Sequence, residues 1–272
     1  MKSTRYFFTM MTAMSLMGLM ACAHSGDTPV KKETKGALAE AKIEFDYADE
    51  ASLSVISPGE EQILNLKNFQ VGQGQNRILI VGVQVEEGGR ENIGDMVISG
   101  ITYGNHPLSL LSGCEVQFSS MWRRKEYFLK VAVYYLINPP SGEHDITVTF
   151  AGPVTSANVG AISLFNVKQA APENWVTNKQ RQQKKIITSF TTKNNGAWVV
   201  DVVGGGHKSK LKPKTEGHIR QFNAQETSGG KSSLVGGILF VPTAGEVSLH
   251  WAQSKRKVNR LAHVAVEIAP YP

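Results

Sequence analysis

The chain has 272 residues, 41% of them hydrophobic and 19% charged, which excludes a disordered polymer and leaves ample length for a large core. Two cysteines exclude a disulfide-stapled scaffold and a multi-cysteine zinc module. With 29 basic against 23 acidic residues, the formal charge of +6 points to anionic surroundings rather than to a dedicated nucleic-acid binder.

Residues 1–21 read as a targeting segment. Lys2 and Arg5 form a basic start, and Tyr6 to Met20 is an apolar run of 15 residues. That is short of the roughly 20 that span a bilayer as a helix. The run ends in Leu19-Met20-Ala21-Cys22, which resembles the lipobox of bacterial lipoproteins. The resemblance implies cleavage before Cys22, diacylglycerol on its sulfur and an acylated new N-terminus. Two or more acyl chains on one residue make a stable anchor. In that family Ala23, standing where an aspartate would retain the protein at the inner membrane, implies the outer membrane of a bacterial envelope. The alternative is an ordinary secretory signal cut at Ala21 or Ala23. With Cys22 lipidated, Cys114 has no partner in the chain and is expected to be a buried structural thiol. Residues 22–42 are then anchor and polar tether.

From Ile43 onward short strand patterns follow one another. Residues 77–86 are β-branched and almost continuously apolar, as a central strand buried on both faces should be. Residues 130–137 form another such run, stopped by Asn138-Pro139-Pro140-Ser141-Gly142. Asp145 to Phe150 alternates strictly. The same grammar continues through 159–165, 186–191, 197–203, 234–241, 247–251 and 261–268. No segment keeps helical amphipathicity for three turns. The expected fold is all-β, a two-sheet antiparallel β-sandwich, jelly-roll-like, formed by one domain over 43–270. The alternative domain boundary lies within 167–185.

The strings Asn76 to Val83, Ile101-Thr102-Tyr103-Gly104-Asn105 and Tyr134 to Gly142 resemble a recurrent β-sandwich domain of bacterial secreted and surface proteins. The resemblance extends over most of 76–268. It implies a fold and a location and brings no catalytic residues with it.

Nucleotide and acyl-transfer signatures fail on inspection. Gly230-Lys231-Ser232 has Gln225 where a P-loop needs its first glycine, and Ser228-Gly229-Gly230-Lys231 lacks the helix that would place lysine beside serine. Glu86, Glu87, Glu91 and Asp95 flank a Gly-Gly-Arg loop and are a weak calcium candidate, since calcium takes carboxylate and loop oxygens. His207 and His218 supply too few ligands for a metal site. The basic residues are more distinctive: Lys208, Lys210 and Lys212, with Lys255 and Arg256, are candidates for one anion-binding patch. Trp122 with Arg123, and Trp175, are loop candidates for stacking on sugar rings.

The expected function is therefore a non-catalytic binding or adhesion module of a cell-envelope lipoprotein, taking acidic glycans or other envelope components. Its partners are the membrane through Cys22 and envelope glycans or proteins. Nucleic acid is not an expected partner, and no cofactor is implied. The alternatives are a carbohydrate-active enzyme whose acids come from distant strands, and an architectural subunit of an envelope assembly.

Overall fold

The structure, a computed structural model, describes residues 42–54, 63–88, 97–120, 125–152, 154–206, 209–226, 232–253 and 257–272. They are all-β, and the described residues from 42 onward belong to one compact unit. Cys22, Glu91, Asp95, Trp122, Arg123, Lys208, Lys255 and Arg256 lie outside the described residues, as does the side chain of Glu87.

The first half contains β1 (Glu44–Ser54), β2 (Ile63–Val71), β3 (Ile78–Gly88), β4 (Ile98–Tyr103), β5 (His106–Pro107), β6 (Ser109–Ser120), β7 (Lys125–Ile137), β8 (Gly142–Phe150) and β9 (Ser156–Phe165). One sheet has the order β1-β9-β3-β7-β6 and the other β2-β8-β4-β5, all antiparallel. Apart from the β6–β7 and β4–β5 hairpins, neighbours in each sheet are distant in sequence, which is the jelly-roll winding. The apolar run of β3 explains its central place. Leu79, Val81, Val83 and Val85 fill the space between the two sheets, while Ile78 and Ile80 point out of the roll into a second core.

The second half repeats the plan. It contains β10 (Trp175–Gln183), β11 (Lys185–Thr191), β12 (Ala197–Gly205), β13 (Lys212–Pro213), β14 (Ile219–Gln225), β15 (Ser233–Val241), β16 (Glu246–Ala252) and β17 (Val258–Ile268). Its sheets run β10-β17-β12-β15-β14 and β11-β16-β13. Except that β5 has no counterpart, this is the winding of the first half. Both rolls carry a register shift at the corresponding place, Leu110/Ser112 in β6 and Arg220/Phe222 in β14. Asn76 and Gly196, just before the two central strands, both adopt positive φ. Pro139-Pro140-Ser141-Gly142-Glu143 is matched by Pro242-Thr243-Ala244-Gly245-Glu246, in turns that open β8 and β16. The expected antiparallel β-sandwich is thus present, and it is built twice, with four sheets where the sequence suggested two.

The rolls pack through their five-stranded sheets. β1 lies on β14 as β10 lies on β6, and β9 on β14 as β17 on β6, so the contacts obey an approximate two-fold. Small residues set the spacing at this seam. Gly82 on β3 meets Val202 on β12, its positional twin, and a Cβ there would stand 2.8 Å from the valine methyls. The ring of Phe222 lies over both Gly160 and Gly236, where any Cβ would overlap it. Gly160→Val is expected to destabilise the chain by about 1–3 kcal/mol through forced repacking. Urea denaturation of the two proteins measures it, and an unchanged midpoint would show that the seam gives way.

Candidate functional site

Two groups of polar residues are buried, one inside the second roll and one at the seam. Inside the second roll, Asp201 on β12 accepts from Trp251 Nε1 at 2.6 Å and lies 3.0 Å from the Nε2 atoms of His218 and His263. His263 Nδ1 in turn lies 2.7 Å from Thr188 Oγ1. Burial pushes the Asp201 carboxyl up, but the His218 and His263 imidazoles outweigh it and hold it well below the usual carboxylate range. Matching the rolls by their strand registers puts Leu66, Val81, Leu108, Val148 and Val159 at the positions of Thr188, Asp201, His218, Trp251 and His263. All five counterparts belong to the apolar core of the first roll. One roll is therefore cored by hydrocarbon where the other has a hydrogen-bonded polar network, in which His218 Nδ1 has no hydrogen-bond partner among the described residues. The chain Thr188–His263–Asp201 has the order of a nucleophile–base–acid relay. It is 3% exposed at the threonine and sealed elsewhere, so it serves as structure.

The second group sits where the seam reaches one end of the molecule. Glu86 on β3 is ion-paired with Arg260 on β17, joining the two rolls. Arg260 also donates to Gly206 O at 3.3 Å and stacks 5.2 Å above the ring centroid of Tyr127. Gly206 is required here, because a Cβ would enter the guanidinium. Beside this pair, Asn158 Nδ2 donates to Gln84 Oε1 and to Ser232 Oγ, the latter at 2.7 Å. Ser156 Oγ donates to Ser232 Oγ at 2.8 Å. Burial pushes the Glu86 carboxyl up to about 7; Arg260 opposes the rise and Glu226 adds to it.

This end also carries the strand ends next to several of the candidate segments. The strand ends that flank 55–62, 89–96, 121–124, 207–208, 227–231 and 254–256 all lie on this side of the sheets. Those segments contain seven basic and four acidic residues, with Trp122, Arg123, Lys208, Lys255 and Arg256 among them. Lys210 and Lys212 belong to the same end: Lys210 N donates to Gln253 Oε1 at 3.0 Å, and Lys212 pairs with Ala252 at the close of β16. Trp175 is placed differently. It opens β10 opposite Val266, at the far end of the sheet, and is 45% exposed. Glu86, the one described carboxylate of the calcium candidate, is turned into the seam and paired with arginine. Among the described residues no group of three or more His, Cys, Asp or Glu is placed to hold a metal ion.

Glu226 was invisible as a site residue because nothing local distinguishes it in the sequence, and Arg260 stood out only as one of a basic group with Lys255, Arg256 and Lys257. The signal for Arg260 was its place in the almost continuously buried run of β17. Cys114 is buried as expected, its thiol 3.4 Å from Asn178 O. Trp251 is fully buried and Trp198 packs against the seam core. Asp145 accepts from Lys67 Nζ and Asn68 N, pinning the irregular step in β2. No helix among the described residues is long and apolar enough to cross a membrane.

Fold and site together define a tandem jelly-roll protein with a buried Glu86–Arg260 pair at one end of its seam. No protein-family model matches the chain. No curated protein matches it either.

Proposed function

We propose that the protein is a cell-envelope lipoprotein, anchored through Cys22, whose two-roll body acts as a non-catalytic binding module for envelope glycans. The observation that supports this most is that Lys210, Lys212 and the strand ends flanking 121–124, 207–208 and 254–256 share the end of the Glu86–Arg260 pair. Loops carried at one end of a rigid β scaffold are the usual place for recognition. The polar tether at 22–42 suits a body held near, but not in, a membrane.

Two measurements test the reading. Cys22→Ala is expected to move the protein from the membrane pellet to the soluble fraction in high salt; retention in the pellet would remove the anchor. The Cys22→Ala chain is then expected to co-sediment with isolated bacterial envelopes at low salt and to be released as salt rises. Failure to sediment at any salt would remove the binding role.

A second reading, a carbohydrate-active enzyme, is favoured by one observation. Glu86 and Glu226 are buried carboxyl groups from opposite rolls, and Glu86 holds its proton near neutrality as a general acid does. New reducing ends released from envelope polysaccharide by the protein, and not by Glu86→Gln, would favour it over the binding role.

A further inference from the structure

We infer that the outer face of the sheet β11-β16-β13 is a binding surface for an anionic saccharide, a glycan chain carrying repeated negative charge. The inference rests on the binding role proposed above and names both the surface and the ligand class. The strand registers build the face. Lys185 on β11 and Lys212 on β13 both stand opposite Ala252 on β16. In the next row Ile187 stands opposite His250, and Lys214 N donates to His250 O at 2.8 Å. Successive residues of a strand alternate between its faces. Ile186, Leu211 and Trp251, the chain neighbours of the first row, are buried in the core of the second roll, so the lysines stand on the side turned away from it. All three lysines are exposed and His250 is half-buried.

Strand spacing of about 4.8 Å and a rise of about 3.4 Å per residue put the three lysine positions within about 12 Å of one another, close enough for one ligand to meet them all. Among the described residues none of the three forms an ion pair. No acidic residue stands in either row. Burial, then Lys185 and Lys214, push the His250 imidazole below its usual pKa, so both ammonium groups bear on one point of the face. Gln253 N donates to Lys184 O at 2.9 Å and Lys210 N to Gln253 Oε1 at 3.0 Å. Two further exposed lysines thus continue the charge beyond the first row.

The first roll shows that the winding does not require this charge. By register, Ile63, Thr149 and Gly100 hold the positions of Lys185, Ala252 and Lys212, while Asn65, Thr147 and Thr102 hold those of Ile187, His250 and Lys214. None of the six is charged, and Thr147 Oγ1 donates to Asn65 Oδ1 at 2.9 Å. Charge on the second roll selects an anion, since ammonium groups meet carboxylate, sulfate or phosphate oxygens as point charges. The floor between the charges selects a saccharide. Ala252 and Ile187, the latter 41% exposed, leave apolar surface between the lysines, and Ser189 and Ser248 add exposed hydroxyls in the third row. A sugar ring brings C–H faces and hydroxyls to such a floor, which a bare phosphate array does not.

The test is calorimetric titration of the full chain carrying Cys22→Ala. The probes are oligouronides, sulfated and phosphate-bearing oligosaccharides, neutral oligosaccharides of the same length, and phosphatidylglycerol vesicles. At least one anionic oligosaccharide is expected to bind saturably, more tightly than its neutral counterpart and less tightly as salt rises. Lys185→Gln, Lys212→Gln and Lys214→Gln combined are expected to weaken it tenfold or more with the melting temperature unchanged, because exposed substitutions of this kind cost little stability. Lys168→Gln with Lys193→Gln, at the opposite end, is expected to leave it unchanged. The inference is overturned if no anionic oligosaccharide binds, if neutral oligomers bind as tightly, or if vesicles bind more tightly than any oligosaccharide. It is also overturned if the triple variant binds like the wild type, or if the Lys168 and Lys193 variant loses as much. Co-sedimentation of the same chain with envelopes separates the two levels. If sedimentation persists while the anionic sugars fail, this face falls and the envelope-binding role stands.

Discussion

Asp201→Ala is expected to be among the most destabilising single substitutions in the chain, by about 3–5 kcal/mol. The side chain is fully buried and serves three donors at once, on Trp251, His218 and His263. Removing it strands all three in a core with no water to replace it. For a chain of this size each kcal/mol lowers the melting temperature by about 2–4 °C, so a fall on the order of 10 °C is expected. The pH dependence has a definite sign. The folded-state pKa is depressed, so the stabilisation is present above the ordinary carboxylate value of 3.8 and is lost as pH falls below it. Asp201→Asn should remove this acid-side loss and cost less than alanine, because the amide keeps part of the network. Thermal melts at pH 3.5 and 7 check both statements; equal melting temperatures for wild type and Asp201→Ala would contradict the network's role.

Glu86 is expected to act in the opposite direction. Its folded-state pKa is raised from 4.5 to about 7, so the native state holds a proton that the unfolded chain releases. The associated stabilisation is complete below about pH 4.5 and is lost as pH rises through about 7, with a span on the order of 3 kcal/mol. Glu86→Gln cannot ionise and should flatten this alkaline-side decline. Urea unfolding at pH 5 and pH 8 provides the comparison. A wild-type midpoint that does not fall between those two values would show that Glu86 is fully ionised throughout. Asp201 and Glu86 are both buried carboxyl groups on the central strands of their rolls, and their neighbours push them apart. Two imidazoles and an indole stabilise the anion of Asp201, whereas one guanidinium and a second carboxyl leave Glu86 near balance.

Much of the fold was legible because strands advertise themselves by period and by their stops. The double proline after Ile137 closes β7 where the sequence places the break, and the continuous apolar run at 78–85 occupies the centre of a sheet. The duplication was legible too, in Pro-x-x-Gly-Glu recurring at 139–143 and 242–246, but only when two turns a hundred residues apart are set side by side. The polar core was not. Asp201 sits in Val-Val-Asp-Val-Val, a pattern that any buried strand gives, and its partners come from three other segments. Periodicity locates a residue on a face of its own strand and carries no information on which distant strand faces it. The pairing of Arg260 with Glu86 escaped for the same reason: 174 positions separate the two halves of that ion pair.

The central claim is that one end of the tandem roll does the binding. The most direct measurement compares charge reversals at the two ends in the full chain carrying Cys22→Ala, scored by co-sedimentation with isolated envelopes at low salt. Lys210 and Lys212 to Glu change the end of the Glu86–Arg260 pair; Lys168 and Lys193 to Glu change the opposite end, beside Glu267 and the close of β17. The first set is expected to abolish sedimentation and the second to leave it intact. Equal loss from both sets, or loss only from the second, would contradict the assignment of the binding end.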